Sequence, residues 1–319
     1  MRSKDKLEAA IRQGGPAALI VNVRSRRGQR HFDRAVRLLD EAGLRFAKVF
    51  PVSEPDRLPE IFEEALDLNP DLVVVGGGDG TVKEAVGHLA ERDVALGLLP
   101  LGTTNNFARG LELPVTLEGA VSVLRQGKVA DVDVGRVRRS SDPQGKTEDV
   151  FANMISLGLS VQVAEHVPHG LKRVLGRAAY ALTAARLMPS HQPFKATIRL
   201  GETIHELTTH QLNIANGSHH SGRPIAGDAS PDDRMLTVYR LGDEARLRLA
   251  AASLRHVLTG HRRSLREDEF INTGDEFYIE TDPPMAVDVD GEIRGETPVR
   301  VTLVPNALRV IVPQSFLDD

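Results

Sequence analysis

Five short segments of the chain carry residue types at spacings that could do chemistry. The first is Gly76-Gly77-Gly78-Asp79-Gly80-Thr81, which follows directly on the run DLVVV at 71–75. Consecutive glycines let backbone N–H groups approach a phosphate closely, and a helix beginning there adds its positive dipole end. Asp79 either orders such a loop or helps hold a phosphate-bound Mg2+. A tight strand-to-helix turn is the alternative use of the same residues. The segment is not the dinucleotide GxGxxG, because Thr81 stands where the last glycine belongs, and no GxxxxGK(S/T) occurs in the chain. The second segment, PLGTTNNFARG at 100–110, offers Gly102, Thr103, Thr104, Asn105 and Asn106. Their hydroxyls and amides suit a polar ligand, and helix capping by Thr or Asn competes with that use. Asn22, Ser25 and Gly28 form a third group in a basic stretch suited to an anion. The fourth is MAVDVDGE at 285–292, where Asp288 and Asp290 alternate with valine and so share one strand face. Asp290-Gly291 also fits a hairpin turn, and the residues alone favour the turn. The fifth, GDASPDDRML at 227–236, reads as a solvated turn or as a place where a hard cation takes a carboxylate and backbone carbonyls.

The elements that must position these groups change character along the chain. Strands are expected at 17–23, 45–52, 71–75 and 94–100, with helices at 31–42, 55–68 and about 82–91 between them. The first helix carries Phe32, Val36, Leu39 and Ala42 at spacings of three and four. Continuous apolar strands alternating with helices predict a parallel sheet covered on both faces. The basic stretch Arg24–Gly28 reads as a turn. In such sheets ligands gather outside the carboxyl ends of the strands, where the first three groups fall. Beyond about residue 130 short strands dominate, at 132–137, 150–155, 194–200, 203–215, 235–241, 276–281, 285–290, 298–304 and 307–312. Helices are expected at 170–188 and 243–259. This pattern predicts an antiparallel sandwich. The expected organisation is an α/β domain over 1–130 and a β-sandwich domain over 131–319, with the last residues free to pack back on the first domain.

Composition narrows the function. The chain has 319 residues, 40 Lys plus Arg against 44 Asp plus Glu, and a formal charge of −4. That balance argues against nucleic acid as a partner. The absence of cysteine excludes disulfides, thiol catalysis and Cys-ligated metals. No apolar run approaches the ~18 residues of a membrane span, and no secretory leader is evident at Met1, so a cytoplasmic location is expected. Peripheral membrane contact remains open. Residues 171–187 place Leu171, Val174, Leu175, Ala178, Leu182 and Ala185 on one stripe, with Lys172, Arg173, Arg177 and Thr183 elsewhere. Such a helix packs on a core or lies on an anionic bilayer. His219-His220 and His261-Arg262-Arg263 read as solvated loops. A homodimer is compatible with the sequence.

Taken together, GGGDGT and the later PLGTTNNFARGL resemble the diacylglycerol kinase catalytic-domain family, which includes bacterial lipid kinases and the sphingosine and ceramide kinases. The likeness runs over about residues 17–313 and includes the late Asp-Gly-Glu. It implies a three-layer α/β nucleotide-binding domain of the NAD kinase and diacylglycerol kinase type, followed by a β-sandwich. It also implies transfer of the γ-phosphate of ATP, with Mg2+, to a lipid hydroxyl at a membrane surface. Matched by motif, the nucleotide site would comprise Asn22 and the loop through Ser25 to Gly28, Ser53, Gly76 through Thr81, Lys83, Gly102, Thr103 and Asn105. Glu292 would be the general base with Asp290 as its acidic partner. A structural Mg2+ loop would use the carbonyls of Ser230 and Met235 and the carboxylate of Asp233. Three departures stand out: Lys83 where the family often has Asn, Asn106 where Asp is frequent, and Arg234 in place of a common Gly. GGDGT is shared with NAD kinases, so a soluble-substrate kinase is the alternative, and a nucleotide- or lipid-sensing relative without catalysis is the third reading.

Overall fold

The computed structural model describes residues 2–24, 26–140, 148–167, 177–216, 219–220, 223–224, 231–241 and 270–318. The expected helix at 243–259, the cluster at 261–263, and Ser25 and Ser230 lie outside them. The first part of the chain runs α1 (Lys4–Arg12), β1 (Ala17–Asn22), α2 (Arg26–Glu41), β2 (Lys48–Val52), a 3-10 turn at Pro55–Arg57, α3 (Leu58–Leu66), β3 (Leu72–Gly77), α4 (Asp79–Leu89), β4 (Ala95–Pro100), α5 (Asn106–Gly110) and α6 (Leu117–Gln126). Strands β1 to β4 are parallel in the order β2-β1-β3-β4. The reason is legible in their sequences. Strands β3 and β4 are buried along their whole length, as strands covered on both faces must be. One face packs Ile20, Val73, Val75 and Leu96 against Phe62 and Val86, and the other packs Leu19, Val74 and Leu99 against Leu39 and Leu124.

The second part contains β5 (Lys128–Arg139), β6 (Glu148–Phe151), β7 (Met154–Gly158), α7 (Leu159–His166), α8 (Arg177–Leu187), β8 (Phe194–Leu200), β9 (Thr203–Thr209) and β10 (Gln211–Ala215). After a two-residue pair, β11 (His219–His220) and β12 (Arg223–Pro224), come β13 (Leu236–Leu241), β14 (Phe270–Thr273), β15 (Phe277–Asp282), β16 (Ala286–Val289), β17 (Glu292–Glu296) and β18 (Val299–Val312). An antiparallel sheet runs β14-β13-β10-β7-β16-β17. It faces the β18-β15-β8 portion of the other sheet across a core of Phe151, Ile155, Phe194, Ile214, Phe277 and Val289. The fold is therefore an N-terminal α/β domain followed by an antiparallel sandwich.

Several expected elements shift. Residues 203–215 form two strands rather than one, because the chain turns at the buried His210 and passes from one sheet to the other. Conversely, 298–304 and 307–312 are one strand with a bulge between Val304 and Leu308. Its first half pairs with β15 and its second half joins β4 in parallel, so one strand is shared by the two parts of the molecule. In α2, Leu39 is buried and Phe32 and Ala42 pack on the same core as expected, while Val36 is exposed and Ala35 is buried in its stead. In α8, Thr183 is buried and donates back to the Ala179 carbonyl at 2.9 Å, whereas Leu182 is 58% exposed. The expected apolar stripe is thus reversed at these two positions. Its first half lies outside the described residues.

Candidate active site

Two loops at the carboxyl ends of β3 and β4 form one unit. Gly76 and Gly77 belong to β3, and α4 begins at Asp79 with extended Gly78 as its N-cap. A Cβ on Gly77 would lie 2.5 Å from Thr81 Cβ, so the turn into the helix closes only over glycine. A Cβ on Gly102 would lie 2.5 Å from Gly78 Cα and 2.7 Å from Asn105 Oδ1, so the two loops touch backbone to backbone. Gly80 differs: nothing lies within 4 Å of its Cβ position, and it borders open space in the first turn of α4. The first intrahelical bond is Val82 N–H to Gly78 O, leaving the preceding N–H groups at the helix mouth. Backbone donors, a positive helix end and open room there are what phosphate oxygens require.

Asp79 joins the two loops. Its Oδ1 accepts from Asn106 N–H at 2.6 Å, and its Oδ2 from Asn105 N–H at 3.0 Å and from the Thr104 hydroxyl. Of the two uses open to this carboxylate, the structure shows the loop-ordering one. Asn105 is left-handed at φ 49° and folds its side chain inward: Oδ1 accepts from Gly102 N–H, and Nδ2 donates to Pro100 O and Gly102 O. It shapes the loop, while Thr103 stands exposed at the tip. Asn22 closes β1 beside this unit, its Nδ2 3.5 Å from Thr81 Oγ1. Ser53 follows Val52, the register partner of Asn22, and is exposed. Asn22, Ser53, Gly77 through Thr81 and Thr103 thus cluster at neighbouring strand ends. Gly28 does not sit in a loop, because α2 starts at Arg26 and takes it into the first helical turn.

The late acidic segment meets this unit through one lysine. Lys83 lies one turn after Asp79 on α4 and is 7% exposed. Its Nζ is 2.7 Å from Glu292 Oε2 at the start of β17. Arg294, two residues on and so on the same strand face, also donates to Glu292 and lies 3.5 Å from Asp149. Sequence reading passed over Arg294, although its period-two spacing from Glu292 was a usable signal. Partial burial pushes the Glu292 carboxyl up, but Lys83 and Arg294 outweigh it and hold the group below the ordinary glutamate range. Asp290 and Gly291 both have positive φ, so the hairpin turn is present. The Asp290 carboxylate is also employed: it accepts from the N–H groups of Ala152, Asn153 and Met154 at 2.7, 3.1 and 2.8 Å. Burial pushes it up to about 6 against the pull of those donors. It ties the β16–β17 hairpin to the β6–β7 turn and so positions Glu292. Burial likewise raises Asp288, whose Oδ1 accepts from Gly291 N–H at 2.8 Å.

The proposed cation loop is less complete. Asp233 Oδ1 accepts from Met235 N–H at 2.9 Å, closing its own turn, and Met235 is exposed. Arg234 has φ 56°, the conformation that favours the glycine it replaces, and its N–H donates to Asp133 Oδ2 at 2.7 Å. No group of three metal-ligating side chains occurs among the described residues. Of the expected Mg2+ loop, Asp233 and Met235 are adjacent in this turn, and Ser230 lies outside the described residues. A separate cavity of about 430 Å³ is lined by Ile204, Leu207, Leu212, Val238 and Tyr239. It opens at the far edge of the sandwich, four strands from β17, and does not belong to this constellation.

This architecture, a glycine-loop α/β domain joined to an antiparallel sandwich that delivers a carboxylate to the loop helix, defines a class of kinase-like proteins. Residues 16–137 match the model of the diacylglycerol kinase catalytic domain, and residues 153–312 match the YegS C-terminal NAD kinase beta sandwich-like domain. The chain belongs to this lipid kinase family. It is 29% identical over 249 residues to a Staphylococcus haemolyticus protein named "Putative lipid kinase", covering 76% of each chain. It is 28% identical over 302 residues to a Klebsiella pneumoniae protein named "Probable lipid kinase YegS-like", covering 93% of this chain and 96% of the relative. Among solved structures, a Bacillus anthracis protein titled a "putative diacylglycerol kinase" superposes with TM-score 0.78 at 23% identity, over 95% of this chain and 97% of that one. That likeness is one of fold. No helix among the described residues is long and apolar enough to cross a membrane.

Proposed function

We propose that this protein transfers the γ-phosphate of ATP to the hydroxyl of a lipid. The observation that carries the reading is the Lys83–Glu292 contact, which sets a carboxylate from the sandwich against the helix that follows the glycine loop. Phosphoryl transfer asks a protein mainly for positioning, charge neutralisation and a group to take the alcohol proton. The N–H groups at the start of α4, with Asn22, Ser53 and Thr103 nearby, would hold the nucleotide. Mg2+ bound with the nucleotide would neutralise phosphate charge. Glu292 accepts the hydroxyl proton of the acceptor, and Asp290 holds the Glu292 hairpin in place. The relatives named lipid kinases favour a lipid over a soluble acceptor, and the exposed Leu182 on α8 suits peripheral contact with the bilayer that presents it.

The test is transfer of label from γ-labelled ATP with Mg2+ to lipids in mixed micelles, among them diacylglycerol, a sphingoid base, ceramide and phosphatidylglycerol. NAD and a lipid-free sample run alongside. A labelled lipid is the expected result and names the acceptor. Label on NAD alone would move the protein to the soluble-substrate branch. Nucleotide binding with no labelled product would make it a sensor.

A further inference from the structure

The basic residue on the active face of α4 is not explained by nucleotide binding alone. Lys83 is buried to 7% exposure, yet among the described residues the carboxylate its ammonium meets at hydrogen-bond distance is Glu292, which is 47% exposed. A carboxylate whose Oε2 meets two cations is a weakened proton acceptor, because its negative charge is stabilised. Lys83 also sits one helical turn, about 6 Å of rise, from the mouth of α4 where phosphates would lie. A lysine stem spans such a distance, and its compact charge can exchange between two anions.

We propose that Lys83 is a positioning residue that couples nucleotide loading to the base: it pairs with Glu292 in the empty site and moves to the γ-phosphate when ATP binds, freeing Glu292. This rests on the kinase reading above. In the transfer step that follows, Glu292 takes the acceptor proton and the acceptor oxygen bonds to the γ-phosphorus. The bond from that phosphorus to the bridging oxygen breaks, and its electron pair leaves with ADP. Lys83 keeps its proton and its charge throughout. The exchange protects ATP from idle chemistry in no other way than by timing: the base becomes available only when the donor is in place.

The groups facing Lys83 are Glu292 directly and Asp288 and Asp290 through space, with Arg294 on the same Glu292 oxygen. Removing the lysine leaves Glu292 in contact with water and with Arg294, so no charge is buried without a partner and the fold is expected to survive. The experiment measures ATP and ADP affinity by calorimetry, with Mg2+ and no lipid, for the wild type and for Lys83→Asn, Lys83→Arg and Glu292→Gln. The wild type should favour ATP over ADP. Lys83→Asn should lose about tenfold or more of that preference, the size of one charge-assisted contact, and Lys83→Arg should keep part of it. Glu292→Gln should bind ATP more tightly than wild type, since the lysine no longer has to leave a carboxylate. In Lys83→Asn/Glu292→Gln that gain should vanish. A merely structural staple would shift melting temperatures but not the ATP-to-ADP ratio. An unchanged ratio in Lys83→Asn, or unchanged ATP affinity in Glu292→Gln, overturns the inference while leaving the kinase reading intact. If the wild type binds no nucleotide, the kinase reading falls and this one with it.

Discussion

Replacing Asp79 by Asn tests whether the two loops after β3 and β4 act as one unit. The carboxylate accepts from the backbone N–H groups of Asn105 and Asn106 and from the Thr104 hydroxyl. Asn keeps one oxygen, so its amide must face at least one N–H donor. Hydrogen bonds to a charged group contribute about 1.5–3 kcal/mol each, and a negative charge at the start of α5 adds about 0.3–1 kcal/mol. Asp79 is half-buried, so solvent screens part of this. A loss of about 2–3 kcal/mol follows, concentrated in residues 102–110. At roughly 2–4 °C of melting temperature per kcal/mol, a fall of about 4–12 °C is expected. Amide hydrogen exchange should accelerate at Asn105 and Asn106 before the sheet is affected. Nucleotide affinity should drop about tenfold or more as the loop opens. Unchanged exchange at these two amides, with full nucleotide affinity, would refute the argument that Asp79 holds the site together.

Four further outcomes follow from the same geometry. Gly102→Ala places a methyl against the Gly78 backbone and should lower both stability, by about 1–3 kcal/mol, and nucleotide affinity. Gly80→Ala should leave stability equal or slightly higher, since alanine favours helix by about 1 kcal/mol, yet weaken nucleotide binding by filling open space, which paired thermal and binding titrations would separate. Asp290→Asn keeps the left-handed turn but loses an acceptor for three N–H groups, so chemical denaturation should show about 1–3 kcal/mol less stability and turnover should fall. That deficit should shrink from about pH 4 to 7: the folded carboxyl, raised to about 6, holds its proton more tightly than the unfolded one, and the wild type loses that increment as it ionises. Finally, Glu292 is held below its ordinary range in the nucleotide-free protein, so the acid limb of kcat/KM for ATP, which reports that form, should lie low, and Lys83→Asn should move it to higher pH. An acid limb that does not move in that variant would exclude Glu292 as the titrating base.

Much of the molecule was legible before any coordinates. The apolar runs of β3 and β4 stated that both faces of those strands are covered, because only doubly buried strands tolerate such composition. The glycines of 76–80 and Gly102 marked close backbone approach, a local demand that a side chain cannot meet. The late Asp-Gly announced its turn, which needs left-handed residues. These features depend on neighbours in the chain, so the sequence alone determined them. Tertiary structure decided the rest. That Asp79 serves the second loop depends on β3 and β4 lying side by side. That Asp290 is held by the N–H groups of residues 152–154, and that Lys83 meets a carboxylate over two hundred residues away, depends on how the sandwich closes on the α/β sheet. Burial of Thr183 beside exposed Leu182 shows the same limit, since the 3.6-residue period names a face but not the surface it packs on. Short-range sterics can be read from residue types, whereas pairing of distant charges is settled only when the packed core brings their backbones together.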